Sequence, residues 1–166
     1  MDQLRRPVIL VLLGLFLTGC GAAPQPAWSD SFDSPEALAT AALDAIAAAD
    51  EPRLARLALS EAELRDTVWP ALPASREEVG MPWTYFWREH AQRNTGYLKT
   101  LLAKHGGKGY DLASVSFDGS TAYGDVTIYR EPILDLRTAS GPQRLRLFGS
   151  MAERGGRWKL YSFVVD

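Results

Sequence analysis

A single cysteine, Cys20, is all that the chain contains. It can therefore form no intramolecular disulfide, and neither a thiolate metal cluster nor a cysteine nucleophile can be built elsewhere. Histidine is almost as scarce, with only His90 and His105. On one continuous helix they would stand about 22 Å apart at a rise of about 1.5 Å per residue, too far to share a metal. No His-Glu-x-x-His, Gly-x-Ser-x-Gly or phosphate-loop pattern occurs, and Gly106, Gly107 and Gly109 follow a helical stretch, not a strand. No metal and no cofactor is expected. Charge of one sign is missing too: 18 basic and 20 acidic residues leave a formal charge of -2. That balance argues against nucleic acid or anionic lipid as a partner, because both are held largely by clustered Lys and Arg.

Long apolar runs are limited to one, Val8 to Leu17, preceded by Arg5 and Arg6 and followed by Leu17-Thr18-Gly19-Cys20. A membrane-spanning helix needs roughly 20 apolar residues, so this shorter run reads as a cleaved signal peptide over residues 1–19 and not as a permanent anchor. Its last four residues resemble the lipobox of bacterial lipoproteins. The resemblance implies that Cys20 is lipidated, with palmitate-type chains, and becomes the first residue of the mature protein. The chain would then sit in the cell envelope, attached to a membrane through its N-terminal lipid. Gly21 stands where inner-membrane lipoproteins of two-membrane bacteria often carry aspartate, so the outer membrane or cell surface is preferred over the inner membrane. Loss of the leader removes Arg5, Arg6 and Asp2; 16 basic and 19 acidic residues remain, a formal charge of -3.

The remainder suits one domain. Residues 20–33, rich in small residues and proline, read as a lipidated tether, and residues 34–166 as the folded domain. Ser34-Pro35-Glu36 supplies a capping hydroxyl, a proline for the first turn and an early acid, opening a helix toward Ala49. Asp50 can cap a second helix over 52–59. Ser60-Glu61-Ala62-Glu63 is a capping-box pattern for a third that closes before Pro70. The longest helix is expected from near Pro82 to His105, stopped by Gly106 and Gly107. Along it Trp83, Phe86, Trp87, His90, Tyr97, Leu98, Leu101, Leu102 and His105 recur at three and four residues, one broad face suited to covering a sheet.

From Tyr110 the period becomes two, and Asp118-Gly119, Ser140-Gly141-Pro142 and Gly155-Gly156 divide the rest into a four-stranded antiparallel meander. Pairing each hairpin about its turn sets Leu134 and Leu136 opposite Leu147 and Leu145, and Met151 opposite Leu160, which makes one face apolar. That register also puts Asp111, Arg130 and Glu153 on the apolar face, with Asp111 and Glu153 flanking Ile128 roughly 10 Å apart. Unpaired charges there are costly, so the three form a candidate ion cluster. Pro132, Gly149 and Ser162 form a row of small residues beside it, leaving room for a ligand; a bulge at Glu131-Pro132 would instead turn Arg130 outward. The other face carries Tyr123, Tyr129, Arg144, Arg146, Phe148, Tyr161 and Phe163. Of these Phe148, Phe163, Tyr161 and Arg146 are the candidate interface for a homodimer or an envelope protein.

Helices first, then a curved antiparallel sheet ending in Gly-Arg-Trp-Lys-Leu-Tyr-Ser-Phe-Val-Val-Asp, with an Ala-Ile-Ala-Ala-Ala-Asp helix end, resembles the NTF2-like superfamily, an α+β cone, over about residues 34–166. The resemblance implies a pocket under the helices and leaves function open, because related folds include isomerases, dehydratases and pure binding modules. The preferred expectation is a non-catalytic binding or interaction domain, with a small apolar ligand or a protein as partner. An isomerase or dehydratase is the alternative; it would need a base and a donor from among Asp111, His90, Tyr85 and Tyr97. A structural component of an envelope complex is the third reading.

Overall fold

The computed structural model describes residues 27–165; Cys20 and the leader lie outside the described residues. Four helices come first. Helix α1 (Pro35–Ala47) starts as expected, with the Ser34 hydroxyl accepting from the Ala37 N–H and Pro35 in the first turn. Its alanines Ala39, Ala42 and Ala45 are buried beside Leu38, Leu43 and Ile46, so the helix axis can come close to its neighbours. Helix α2 (Glu51–Arg56) is capped by Asp50, whose carboxylate accepts from the Arg53 N–H. The complete Ser60/Glu63 capping box opens α3 (Glu61–Glu63), which widens into a π-turn over Leu64–Val68 and gives way to 3-10 turns at Trp69–Ala71, where Pro70 cannot donate. Helix α4 (Trp83–His105) is continuous and stops where expected, with the Gly106 N–H on the Leu102 carbonyl. Among the described residues no helix is long and apolar enough to cross a membrane.

The fold is α+β, but the expected single four-stranded sheet is corrected to two antiparallel sheets. Strands β1 (Asp111–Ser116), β4 (Ile133–Thr138) and β5 (Gly141–Leu145) form one, in the order β1-β4-β5. Strands β2 (Gly119–Tyr123), β3 (Val126–Arg130), β6 (Ser150–Arg154) and β7 (Arg157–Ser162) form the other, in the order β2-β3-β6-β7. Four arms do run back and forth, as the period-two pattern requires, and the first three break in the middle. One break follows Ser116; the second is Glu131-Pro132, where Glu131 has φ 47 and Pro132 has no N–H for a ladder; the third precedes Ser150.

Two register expectations change as well. The first hairpin turns at Gly124-Asp125, with Tyr123 paired to Val126 and Gly124 at φ 62. Asp118-Gly119 lies at the bend, where the Asp118 N–H still donates to the Arg130 carbonyl. In the β4–β5 hairpin Leu134 pairs with Leu145 and Leu136 with Gln143, two residues from the expected pairing, which leaves the same face inward. Met151 does pair with Leu160.

The four-stranded sheet is covered on both faces. Met151 and Leu160 join Leu38, Leu43, Ile46, Leu134, Leu136, Phe148 and Phe163 in the larger core. Val126, Ile128 and Ala152, on the opposite face, pack with Trp28, Leu59, Leu64, Val68 and Leu72. Trp28 corrects the expected tether boundary at residue 33. It is 5% exposed, its indole N–H donates to the Thr67 hydroxyl, and Phe32 pairs by backbone with Trp158. The folded part therefore already includes Trp28.

Candidate functional site

The covering of both sheet faces relocates most of the expected site residues. Asp111 is exposed and pairs with Arg137 in the three-stranded sheet, away from Ile128, whose neighbours are Thr121 and Ala152. Glu153 faces Thr127 and Trp158, and its carboxylate accepts from the Gly156 N–H at the β6–β7 turn. The expected cluster of Asp111, Arg130 and Glu153 is thus dispersed, because the strand breaks and the shifted first turn change which residues share a face. Phe148 and Phe163 are 0% and 3% exposed, and Tyr161 packs with the smaller core. Of the candidate interface only Arg146 is exposed, in an ion pair with Glu131. Tyr97, 38% exposed, stands apart.

What the structure brings together is a groove of about 600 Å³ between the first half of α4 and the ends of β3, β6 and β7. Helix α4 contributes Tyr85, Phe86, Glu89, His90, Arg93 and Asn94, the spacing of one helical face. The sheet contributes Ile128, Arg130, Ser150, Tyr161 and Ser162, and the adjoining segments add Glu131, Gly149 and Val164. Two of the three small residues expected beside a ligand, Gly149 and Ser162, do line it. Gly149 is required there, since a Cβ built on it would lie 1.6 Å from the Val164 carbonyl oxygen. Arg130 lies over Gly119, where an added Cβ would meet its guanidinium at 2.7 Å.

His90 lines this groove and also borders a smaller one, of about 230 Å³, lined by Leu98 and Phe163. Its ring packs near Phe86, Trp87 and Tyr161, with centroids at 5.8, 6.1 and 5.2 Å. Burial among these rings pushes the imidazole down to about 4, the Tyr161 backbone beside it works in the opposite direction, and Arg93 lowers it further. Burial, with a contribution from Tyr123, pushes the Tyr161 hydroxyl up to about 12. Near neutral pH both side chains are therefore uncharged. Asn94 is bonded at both ends: its amide donates to the His90 carbonyl and its oxygen accepts from the Phe163 N–H.

The groove's charges are unequally satisfied. Glu89 pairs with Arg88 at 3.4 Å, and Glu131 pairs with Arg146. The guanidinium groups of Arg93 and Arg130 make no ion pair or hydrogen bond among the described residues. Among the described residues no group of three or more His, Cys, Asp or Glu is placed to hold a metal. His105 is at the other end of α4, its Nδ1 2.8 Å from the Tyr110 hydroxyl.

Sequence reasoning missed Arg93 and Asn94, although both fall on the His90 face of the helix at three and four residues. It also missed the buried ion pair of Lys159 with Glu63, which no spacing in the sequence signals. No family model matches the chain, and comparison with curated proteins and with solved structures yields no significant match.

Proposed function

We propose that the protein is a lipid-anchored cell-envelope lipoprotein whose domain is a non-catalytic binding module of NTF2-like type. The observation that carries the binding reading is the open groove between α4 and the bent sheet. Its volume falls within the range of about 300–1,000 Å³ usual for small-molecule sites, and Phe86, Ile128 and Val164 give it apolar walls. Helices followed by bent antiparallel arms support the NTF2-like reading, and the anchor rests on the Cys20 sequence.

A non-catalytic role is favoured by the chemistry of the lining. A general base works best with a pKa near the operating pH; His90, held at about 4, is a weak one. Asp111, the other base considered, lies outside the groove. The groove also favours a small molecule over a protein as partner, because Phe148 and Phe163, expected to form an interface, are in the core.

The test is native mass spectrometry of the protein purified from its own host's envelope, beside a Cys20→Ser variant. The proposal expects a retained small-molecule mass in both and loss of membrane attachment only in the variant. A bare chain under conditions that keep it folded would count against the binding module; unchanged membrane attachment of the variant would count against lipidation at Cys20.

A further inference from the structure

Resting on the binding reading above, we propose that the ligand of the α4 groove is a small amphiphile with one anionic head, its apolar body against Phe86, Ile128 and Val164 and its head paired with Arg93 and Arg130. Two observations point the same way. The first is the wall chemistry: a ligand must cover aromatic and aliphatic surface along the helix and sheet, which a wholly polar anion would not do.

The second is the state of the charges. The lining holds two carboxylates and two guanidinium groups, and a count alone would make it neutral. Both carboxylates are already engaged, Glu89 by Arg88 and Glu131 by Arg146, and neither engaging arginine lines the groove. Arg93 and Arg130 have no such partner among the described residues, and both are exposed. His90 and Tyr161 add no charge near neutral pH. An anion entering the groove thus meets two guanidinium groups with no ion-pair partner among the described residues, whereas a cation would have to compete with Arg88 and Arg146 for the two carboxylates. Guanidinium groups suit carboxylate and phosphate heads alike, because their N–H fork matches either geometry.

The two arginines come from different elements, α4 and β3, which only the fold brings to one groove. Gly119, opposite Arg130 on β2, has no side chain, and the Arg130 guanidinium lies where a Cβ would be.

The experiment is calorimetric titration of the mature chain carrying Cys20→Ser with laurate, dodecyl phosphate, dodecanol and dodecyltrimethylammonium, each below its micelle concentration. Laurate or dodecyl phosphate, or both, should bind about tenfold or more tightly than dodecanol, since a charge-assisted hydrogen bond contributes at least that ratio, and the cation should bind worst. A laurate preference would mark the natural head as a carboxylate, a dodecyl phosphate preference as a phosphate. Arg93→Gln and Arg130→Gln should each weaken anion binding several-fold, and together they should erase the preference while dodecanol binding persists. Persisting dodecanol binding also shows that the variants are folded. Equal binding of all four ligands, or an anion preference that survives the double substitution, would overturn the head-group assignment and leave the groove reading intact. No binding of any chain by the unsubstituted groove would overturn both.

Discussion

Lys159 Nζ lies 2.9 Å from Glu63 Oε2, with 2% and 11% of the two side chains exposed. The pair ties β7 to α3 under the smaller core. Glu63 is the busier partner, since it also accepts from the Ser29 N–H and hydroxyl and from the Ser60 N–H. Burial alone would raise its pKa; the hydrogen bonds from Ser60 and Lys159 outweigh that and hold it below the usual value.

Removing one member of such a pair leaves the other charge buried, a change that costs about 3–5 kcal/mol. Lys159→Met should lower folding stability by that order, read as a shift of the urea midpoint. Adding Glu63→Gln should restore part of the loss. Strict additivity of the two substitutions would show that they do not act as a coupled pair.

His90 predicts a dependence on pH. Its folded pKa of about 4 is below the 6.5 of the unfolded chain, so between those values the unfolded state binds more protons and stability rises with pH. Going down from pH 7 to pH 4 should therefore cost about 3 kcal/mol through this group alone. Glu63, also lowered, adds a loss in the same direction once pH falls below the ordinary carboxylate range. His90→Asn should flatten the upper part of the curve and leave the acid limb; a curve unchanged from pH 4 to 6.5 would contradict the burial assigned to the ring.

The glycines separate two opposite outcomes. Gly149→Ala pushes a Cβ into the Val164 backbone and should destabilise by about 1–3 kcal/mol, as overpacking does. Gly96, inside α4, has nothing within 4 Å of an added Cβ and no positive φ. Gly96→Ala should stabilise by about 0.5–1 kcal/mol through helix propensity. Thermal melts of the two variants check both signs.

Trp28→Ala tests where the folded unit begins. A tryptophan in a tether would contribute nothing to stability, whereas a buried one with its N–H on Thr67 should cost about 3–5 kcal/mol when truncated. Denaturant unfolding of the mature chain distinguishes the two, and an unchanged midpoint would return Trp28 to the tether.

Helix starts, and the end of α4, were legible in the sequence because they depend on neighbours three or four residues away; the second helix, expected to reach residue 59, ends at Arg56, and the third gives way at Leu64 to a π-turn. Ser34 reaches the Ala37 N–H, Asp50 reaches the Arg53 N–H, Ser60 and Glu63 close on each other, and Gly106 ends α4. The alternation after Tyr110 likewise sufficed to announce antiparallel arms and the α+β class. The candidate site was legible in part: His90, Arg130, Gly149 and Ser162 do line one groove. Asp111, Glu153, Tyr97, Phe148 and Phe163 do not, for a reason that sequence alone does not expose. A strand with apolar residues on both faces has no unique inward side. Its face is chosen by what packs against it, here α1 on one side and Trp28, Leu64 and Val68 on the other. Breaks at positions such as Glu131-Pro132 then reset the face of every later residue. Capping chemistry is local and so belongs to the sequence; the facing of strands and the placing of Arg93 and Arg130 along one groove depend on long-range packing, which only the tertiary structure decides.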